Sequence, residues 1–310
     1  MMSTAFLFPG QGSQSLGMMA GLANRPEVKS TFADASEVLG QDLWKLVTDG
    51  PADALNQTTN TQPAMLAAGI ATYRAYLAGG GKAPALMAGH SLGEYSALVA
   101  AGALSLADAV RLVRFRAEAM QSAVPEGVGA MAAILGLDDE AVREVCAAAS
   151  LGEVLEAVNL NSPGQVVIAG NKAAVERGMV LAKEKGAKRA LPLPVSVPSH
   201  SSLMKPAAAQ LAAYMDQVTI AVPHIPVLHN ADVSDHADAQ SIKDALARQL
   251  YSPVRWVETI VALKSRGATR FVECGPGKVL AGLTKRIDGS LKTLAITDEA
   301  SLEAAIQESN

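Results

Sequence analysis

The chain has 310 residues, room for one large domain or for a domain carrying a smaller insertion. With 49% apolar and 18% charged residues it can bury a sizeable core, and a net charge of −4 speaks against a nucleic-acid or anionic-membrane surface. No apolar run reaches the roughly 18 residues that span a bilayer, and the isolated cysteines Cys146 and Cys274 suit a reduced, cytoplasmic setting in buried structural roles.

Residues 4–8 read as an apolar strand running into Pro9-Gly10-Gln11-Gly12-Ser13-Gln14, with no basic leader before it and so no signal peptide. The loop lacks the spacing of a dinucleotide fingerprint or a P-loop. Its exposed N–H groups at a strand's end fit half an oxyanion hole instead. Residues 27–47 and 63–78 read as helices, the second with Pro63 in its first turn. Residues 84–88 are a short apolar run after a proline, and the alanine-rich stretch 94–102 reads as a helix. Between them stands Gly89-His90-Ser91-Leu92-Gly93. Strand, G-x-S-x-G and helix in that order are the context of a nucleophile elbow. The glycines permit a sharp bend, and the helix N-terminus aims its unpaired N–H groups at an oxygen turning negative there. His90 points away from the serine and braces the bend.

Ser105 should cap a helix over 107–122 that carries Arg111, Arg114 and Arg116, among which periodicity does not choose. From 129 the rhythm changes. Strands over 129–137, 154–160, 165–169 and 190–195 alternate with helices over 138–149 and 171–185, and residues 161–164 turn between the two central strands. That order, β-α-β-β-α-β, is the split ferredoxin-like unit, inserted at 127–196 into a larger domain formed by 1–126 and 197–310. Pro192, Pro194 and Pro198 then forbid a helix and deliver His200 along a stiff path. His224, His229 and His236 surround a strand over 225–228 and show no ligand spacing, so they read as structural or solvated. Residues 241–250 and 256–264 read as helices and 270–274 as a strand. Gly275-Pro276-Gly277-Lys278 is a structural corner into a helix over 279–286.

Taken together, Phe8-Pro9-Gly10-Gln11-Gly12-Ser13-Gln14, Thr61-Gln62-Pro63-Ala64, Gly89-His90-Ser91-Leu92-Gly93-Glu94-Tyr95, Arg116 with Met120-Gln121, residues 159–170, Pro198-Ser199-His200 and Arg248-Gln249-Leu250-Tyr251 with Pro253-Val254 carry a likeness. In this order and spacing the chain resembles the malonyl-CoA:acyl carrier protein transacylase family from end to end. The resemblance implies a large α/β-hydrolase-like domain with a mainly parallel sheet around the inserted subdomain. It implies a ping-pong transfer of malonyl from malonyl-CoA to the pantetheine thiol of acyl carrier protein. Ser91 would be the nucleophile and His200 the general base, its N–H held by the carbonyl of Gln249. Gln11 and Leu92 would supply the oxyanion hole, and Arg116 would grip the malonyl carboxylate. Gln62 and Asn161 would contact the acyl group or support those that do. Leu92 after the serine and Ser199 before the histidine go, in that family, with malonyl over methylmalonyl. No metal or redox cofactor is implied, since coenzyme A arrives with the substrate, and a cytoplasmic monomer is expected. Lys185, Lys188, Arg189, Lys285 and Arg286 are candidates for a basic rim facing the acidic carrier.

Two rival readings share parts of the pattern. A serine thioesterase or esterase would need an acid between Ser91 and His200 in chain order and an H-G-G-G loop, which is missing. A non-catalytic carrier-binding subunit would have no use for an intact serine, histidine and arginine.

Overall fold

A computed structural model describes residues 3–195 and 197–309. Residue 196, where the small unit was expected to end, lies outside them. The chain opens on β1 (Ser3–Phe8), followed by α1 (Pro26–Leu39), α2 (Leu43–Asp49), α3 (Ala52–Leu55) and α4 (Thr58–Ala78). Next come β2 (Leu86–Gly89), α5 (Gly93–Ala100) and α6 (Leu106–Ser122). A second run holds β3 (Gly129–Leu135), α7 (Asp139–Ser150), β4 (Leu155–Ser162), β5 (Gln165–Asn171), α8 (Lys172–Glu184) and β6 (Arg189–Pro192). The return comprises α9 (Lys205–Met215), β7 (Val227–Leu228), α10 (Ala239–Gln249), α11 (Trp256–Ser265), β8 (Ala268–Cys274), α12 (Val279–Ile287), β9 (Lys292–Ile296) and α13 (Glu299–Ser309).

The fold is mixed α/β. One sheet has the order β7-β2-β1-β8-β9, and every neighbouring pair in it is parallel. β1 lies at its centre and is buried on both faces, as an inner parallel strand must be. Phe6 and Phe8 turn to one side, where they pack on Tyr73, and Phe6 also packs on Tyr76, both from α4. Ala5 and Leu7 turn to the other side, into a cluster with Trp256 and Phe271. Each fully buried aromatic ring contributes about 1.5–3 kcal/mol by leaving water. Four strands of this sheet end at Phe8, Gly89, Leu228 and Cys274, and the functional residues gather at this carboxyl edge.

The second sheet, β4-β5-β3-β6, is antiparallel throughout and carries α7 and α8 over a core that includes Ile134, Val166 and Ile168. It is stitched to the first body along β4. The Leu160 N–H donates to the Val254 carbonyl (3.0 Å), and the Val254 N–H donates to the Val158 carbonyl (2.8 Å). That seam brings Asn161, the next residue of β4, up behind the elbow.

Several expectations need correction. The helix expected over 27–47 is two helices, because Gly40 stops α1 in the left-handed region (φ 62°) and Asp42 recaps α2 by accepting the Lys45 N–H. The helix expected from 63 starts at Thr58, so Pro63 sits in its second turn. Its first turn is polar and left no apolar period to read. The turn expected over 161–164 does join the two strands that are central in chain order, β4 and β5, with β4 at the edge of the sheet. The turn itself is confined to Pro163 and Gly164 between β4 and β5. The helix expected over 94–102 runs from Gly93 to Ala100. The elements α3, α9, β9 and α13 lie beyond those expected.

Candidate functional site

β2 ends at Gly89 and α5 starts at Gly93, which leaves three residues for the bend. Ser91 takes φ +51°, a left-handed conformation that costs a residue with a Cβ about 1–3 kcal/mol. Neither glycine could be anything else. A Cβ at Gly89 would lie 1.8 Å from the Gly93 carbonyl carbon, and one at Gly93 would lie 2.0 Å from the Phe8 carbonyl oxygen. The Ser91 side chain therefore stands at the carboxyl edge of β1 and β2.

His200 reaches it from the far side. Its Nε2 lies 2.8 Å from Ser91 Oγ, and its Nδ1–H donates to the Gln249 carbonyl at 2.7 Å. Because a carbonyl can only accept, Nδ1 carries the ring proton, and Nε2 is left bare to take the serine proton. Gln249 is the last residue of α10, and such terminal carbonyls have no partner inside their helix. His200 itself has φ +66° and is buried, and the Ser201 hydroxyl bonded to the Pro198 carbonyl (2.7 Å) tightens the turn around it. Burial, with the positive charge of Arg116 second, pushes the imidazole down to about 3. It is thus a neutral base at neutral pH.

This shift makes a prediction with a definite sign. The acid limb of kcat/KM for an acyl donor should lie well below pH 6.5, and a half-maximal point near 6.5 would remove His200 as the base. For stability, the unfolded chain binds a proton here below its ordinary value and the folded chain does not. The folded state should therefore lose stability as pH falls from about 6.5 towards 3, a loss that His200→Gln should lessen in acid denaturation.

Of the three arginines on α6, Arg116 alone is buried; Arg111 is exposed beside Asp108, and Arg114 is half-buried on Gln41. The Arg116 guanidinium donates through Nη1 to Gln62 Oε1 (2.8 Å) and through Nη2 to Gln249 Oε1 (3.0 Å) and Ser91 Oγ (3.3 Å). It lies 5.5 Å from the centre of the Tyr95 ring. Both amide partners are neutral, no carboxylate among the described residues pairs with it directly, and its buried Nε has no partner. A buried cation with no carboxylate in direct contact, beside a serine hydroxyl, is suited to receive an anionic group.

Gln11 is exposed, and its Oε1 accepts the Thr58 hydroxyl (2.8 Å). Its loop runs hard against the elbow, since a Cβ on Gly10 would lie 2.4 Å from the His90 carbonyl oxygen and 3.6 Å from the Leu92 nitrogen. Among the described residues no hydrogen bond occupies the N–H of Gln11 or of Leu92. Asn161 binds one step away, its Oδ1 accepting from His90 Nε2–H (2.8 Å), with His90 tilted against Trp256. Hydrogen bonds thus join Ser91, His200, Gln249, Arg116 and Gln62. Leu92 and Gln11 flank them, and Asn161 connects only through His90. All five rim candidates are exposed; Lys185 pairs with Glu144, and Arg286 donates to Gln165 of the second sheet.

Glu94 and Asn230 were given no role in the sequence reading, and His229, read there as structural or solvated, is buried against Glu94. Glu94 is fully buried and accepts from His229 Nδ1–H (2.6 Å), the Asn230 N–H (2.8 Å) and Gln249 Nε2 (2.9 Å). A lone acidic residue in the apolar helix 93–100 was the available signal. Asn230 and His229 follow the last buried residue of β7, at the same sheet edge as the elbow. Among the described residues, no group of three or more His, Cys, Asp or Glu is placed to hold a metal ion.

Known proteins match nearly the whole length of the chain. The acyl transferase domain family matches residues 5–298. The malonyl CoA-acyl carrier protein transacylase of Salmonella typhimurium is 56% identical over 303 residues, 97% of this chain and 98% of that one. An acyl-carrier-protein S-malonyltransferase from Burkholderia pseudomallei has a crystal structure that superposes with a TM-score of 0.97 at 59% identity, covering 99% of this chain and 100% of the other. A malonyl-transacylase solved in complex with its type II PKS acyl-carrier protein gives a TM-score of 0.97 at 54% identity, with 99% of each chain covered.

Proposed function

The chain belongs to the acyl transferase domain family, among its malonyl CoA-acyl carrier protein transacylases, and we propose that it carries malonyl from coenzyme A to the thiol of acyl carrier protein through an ester on Ser91. His200 Nε2 takes the hydroxyl proton as Ser91 Oγ attacks the thioester carbonyl. The oxygen that becomes negative is met by the N–H groups of Leu92 and Gln11, one such donor being worth about 3 kcal/mol at the transition state. Collapse breaks the carbon–sulfur bond, and the departing thiolate recovers the proton from the imidazolium. Acyl carrier protein then repeats the sequence in reverse: its thiol gives His200 a proton, its sulfur attacks the ester, and Ser91 regains its hydroxyl.

Arg116 pairs with the free carboxylate of malonate through the N–H groups that Gln62 and Gln249 leave open. Only one methylene separates the two carbonyl carbons of malonate, and the guanidinium lies beside Ser91 Oγ (3.3 Å), so an acyl group on Ser91 would carry its carboxylate back alongside the guanidinium. Gln62 holds the fork, and Asn161 supports the bend through His90. Leu92 and Ser199, beside the serine and the histidine, favour malonyl over methylmalonyl. The working form is a cytoplasmic monomer with no metal or redox cofactor. Around the site, residues 1–126 and 197–310 make an α/β-hydrolase-like body, and 127–196 make a ferredoxin-like insertion.

What supports this reading most is one juxtaposition: Ser91 Oγ lies 2.8 Å from a neutral imidazole and 3.3 Å from a buried guanidinium that no carboxylate occupies. The experiment supplies malonyl-CoA with and without reduced acyl carrier protein. Transfer to the thiol should far outpace release of free malonate, because the clamped acyl group leaves little room for water. Release of malonate at an equal rate with or without the thiol would make the protein a thioesterase.

A further inference from the structure

One side chain holds the elbow in its bent form. Asn230, fully buried after β7, accepts the Ser91 N–H on Oδ1 (2.7 Å) and donates from Nδ2 to the Gly89 carbonyl (2.7 Å). A single amide therefore bridges the bend, gripping the residues on either side of His90. The fit needs an acceptor and a donor side by side, which at this length and at neutral pH asparagine supplies and an ionised aspartate does not. Its own backbone is tied in turn, the Asn230 N–H donating to Glu94 Oε2 (2.8 Å). That oxygen also accepts from Gln249 Nε2 (2.9 Å), and Gln249 Nε2 donates as well to the Ser91 carbonyl (3.0 Å). So the nucleophile's N–H and C=O are both fastened to groups that meet at Glu94.

Ser91 at φ +51° is in a region that residues with a Cβ leave when nothing holds them, and leaving it would swing Oγ away from His200. We propose that Asn230 is a positioning residue for acyl transfer: its side-chain amide keeps Ser91 in the left-handed conformation that sets Oγ against His200, with Glu94 anchoring the Asn230 backbone N–H. The inference rests on Ser91 being the nucleophile. Asn230 touches no reacting atom. By engaging the Ser91 N–H it also takes that donor out of the oxyanion site and leaves the task to Leu92 and Gln11.

The test uses the full chain, rapid-quench acylation by malonyl-CoA and thermal unfolding. Asn230→Ala should slow malonyl-Ser91 formation at least tenfold while KM for malonyl-CoA stays within twofold, since Arg116 is untouched. Asn230→Asp retains the acceptor for the Ser91 N–H and donates to Gly89 only when protonated. Its acylation rate should exceed that of the alanine variant at low pH and fall as pH rises through the titration of the new carboxyl. A folded Asn230→Ala that acylates within twofold of the parent, or that suffers in KM alone, overturns the proposal. If the alanine variant does not fold, the aspartate variant decides: a pH profile matching the parent's overturns it. Failure of the unaltered protein to acylate at all would instead strike the reading of Ser91, so the two failures are distinct.

Discussion

Replacing His200 with alanine should slow the formation of malonyl-Ser91 by about 10³-fold, within the 10²- to 10⁴-fold range of a positioned general base. Among the described residues the serine hydroxyl has no other base within reach: its remaining neighbour at 3.3 Å is the Arg116 guanidinium, which can only donate. KM for malonyl-CoA should change little, because the far carboxylate is held by Arg116 and not by the ring. The variant should also lose some stability, as the Gln249 carbonyl loses its 2.7 Å donor inside a buried site. Stopped-flow measurement of coenzyme A release in the first turnover reads the chemical step alone. A loss below tenfold in a folded variant would mean that another group takes the proton.

Arg116→Ala carries the second large effect. A malonyl carboxylate brought into this buried pocket without its partner should cost about 3–5 kcal/mol, a fall in kcat/KM of roughly 10²- to 10⁴-fold. Acetyl transfer, which needs no such partner, should hold or rise, so the preference between the two acyl groups inverts. Arg116→Lys should not restore malonyl transfer, because the two amide oxygens at 2.8 and 3.0 Å and the substrate carboxylate call for a planar fork of donors. Removing this charge also takes away the second cause of the low His200 pKa, so the acid limb should move upward in pH. Unchanged malonyl kinetics in Arg116→Ala would end its assignment.

Local rules made the elbow legible. Gly89 and Gly93 are required by contacts of 1.8 and 2.0 Å with the backbone, and their spacing around Ser91 is visible in five letters. His200 stood out because the prolines before it stiffen the path. Arg116 could not be told from Arg111 and Arg114 by periodicity, since burial decides and burial depends on α4 and α10 closing over α6. The Gln249 carbonyl came only through the resemblance, for any residue type has a carbonyl and its availability comes from the end of a helix. Glu94 and Asn230 were the hardest to see. Their contact spans 136 positions, and neither residue type is rare enough to mark a site. In the fold, the βαββαβ run was readable from alternating patterns, whereas α4 was expected too short because its first turn is polar. The five-residue β9, most of it half-exposed, carried no period strong enough to read.

The most direct measurement of the central claim is the mass of the intact protein after brief mixing with malonyl-CoA, followed by peptide mapping. One malonyl group should appear on Ser91, vanish when reduced acyl carrier protein is added, and be absent from Ser91→Ala. A chain that gains no mass while transfer proceeds, or that carries the malonyl group on another residue, would contradict the account.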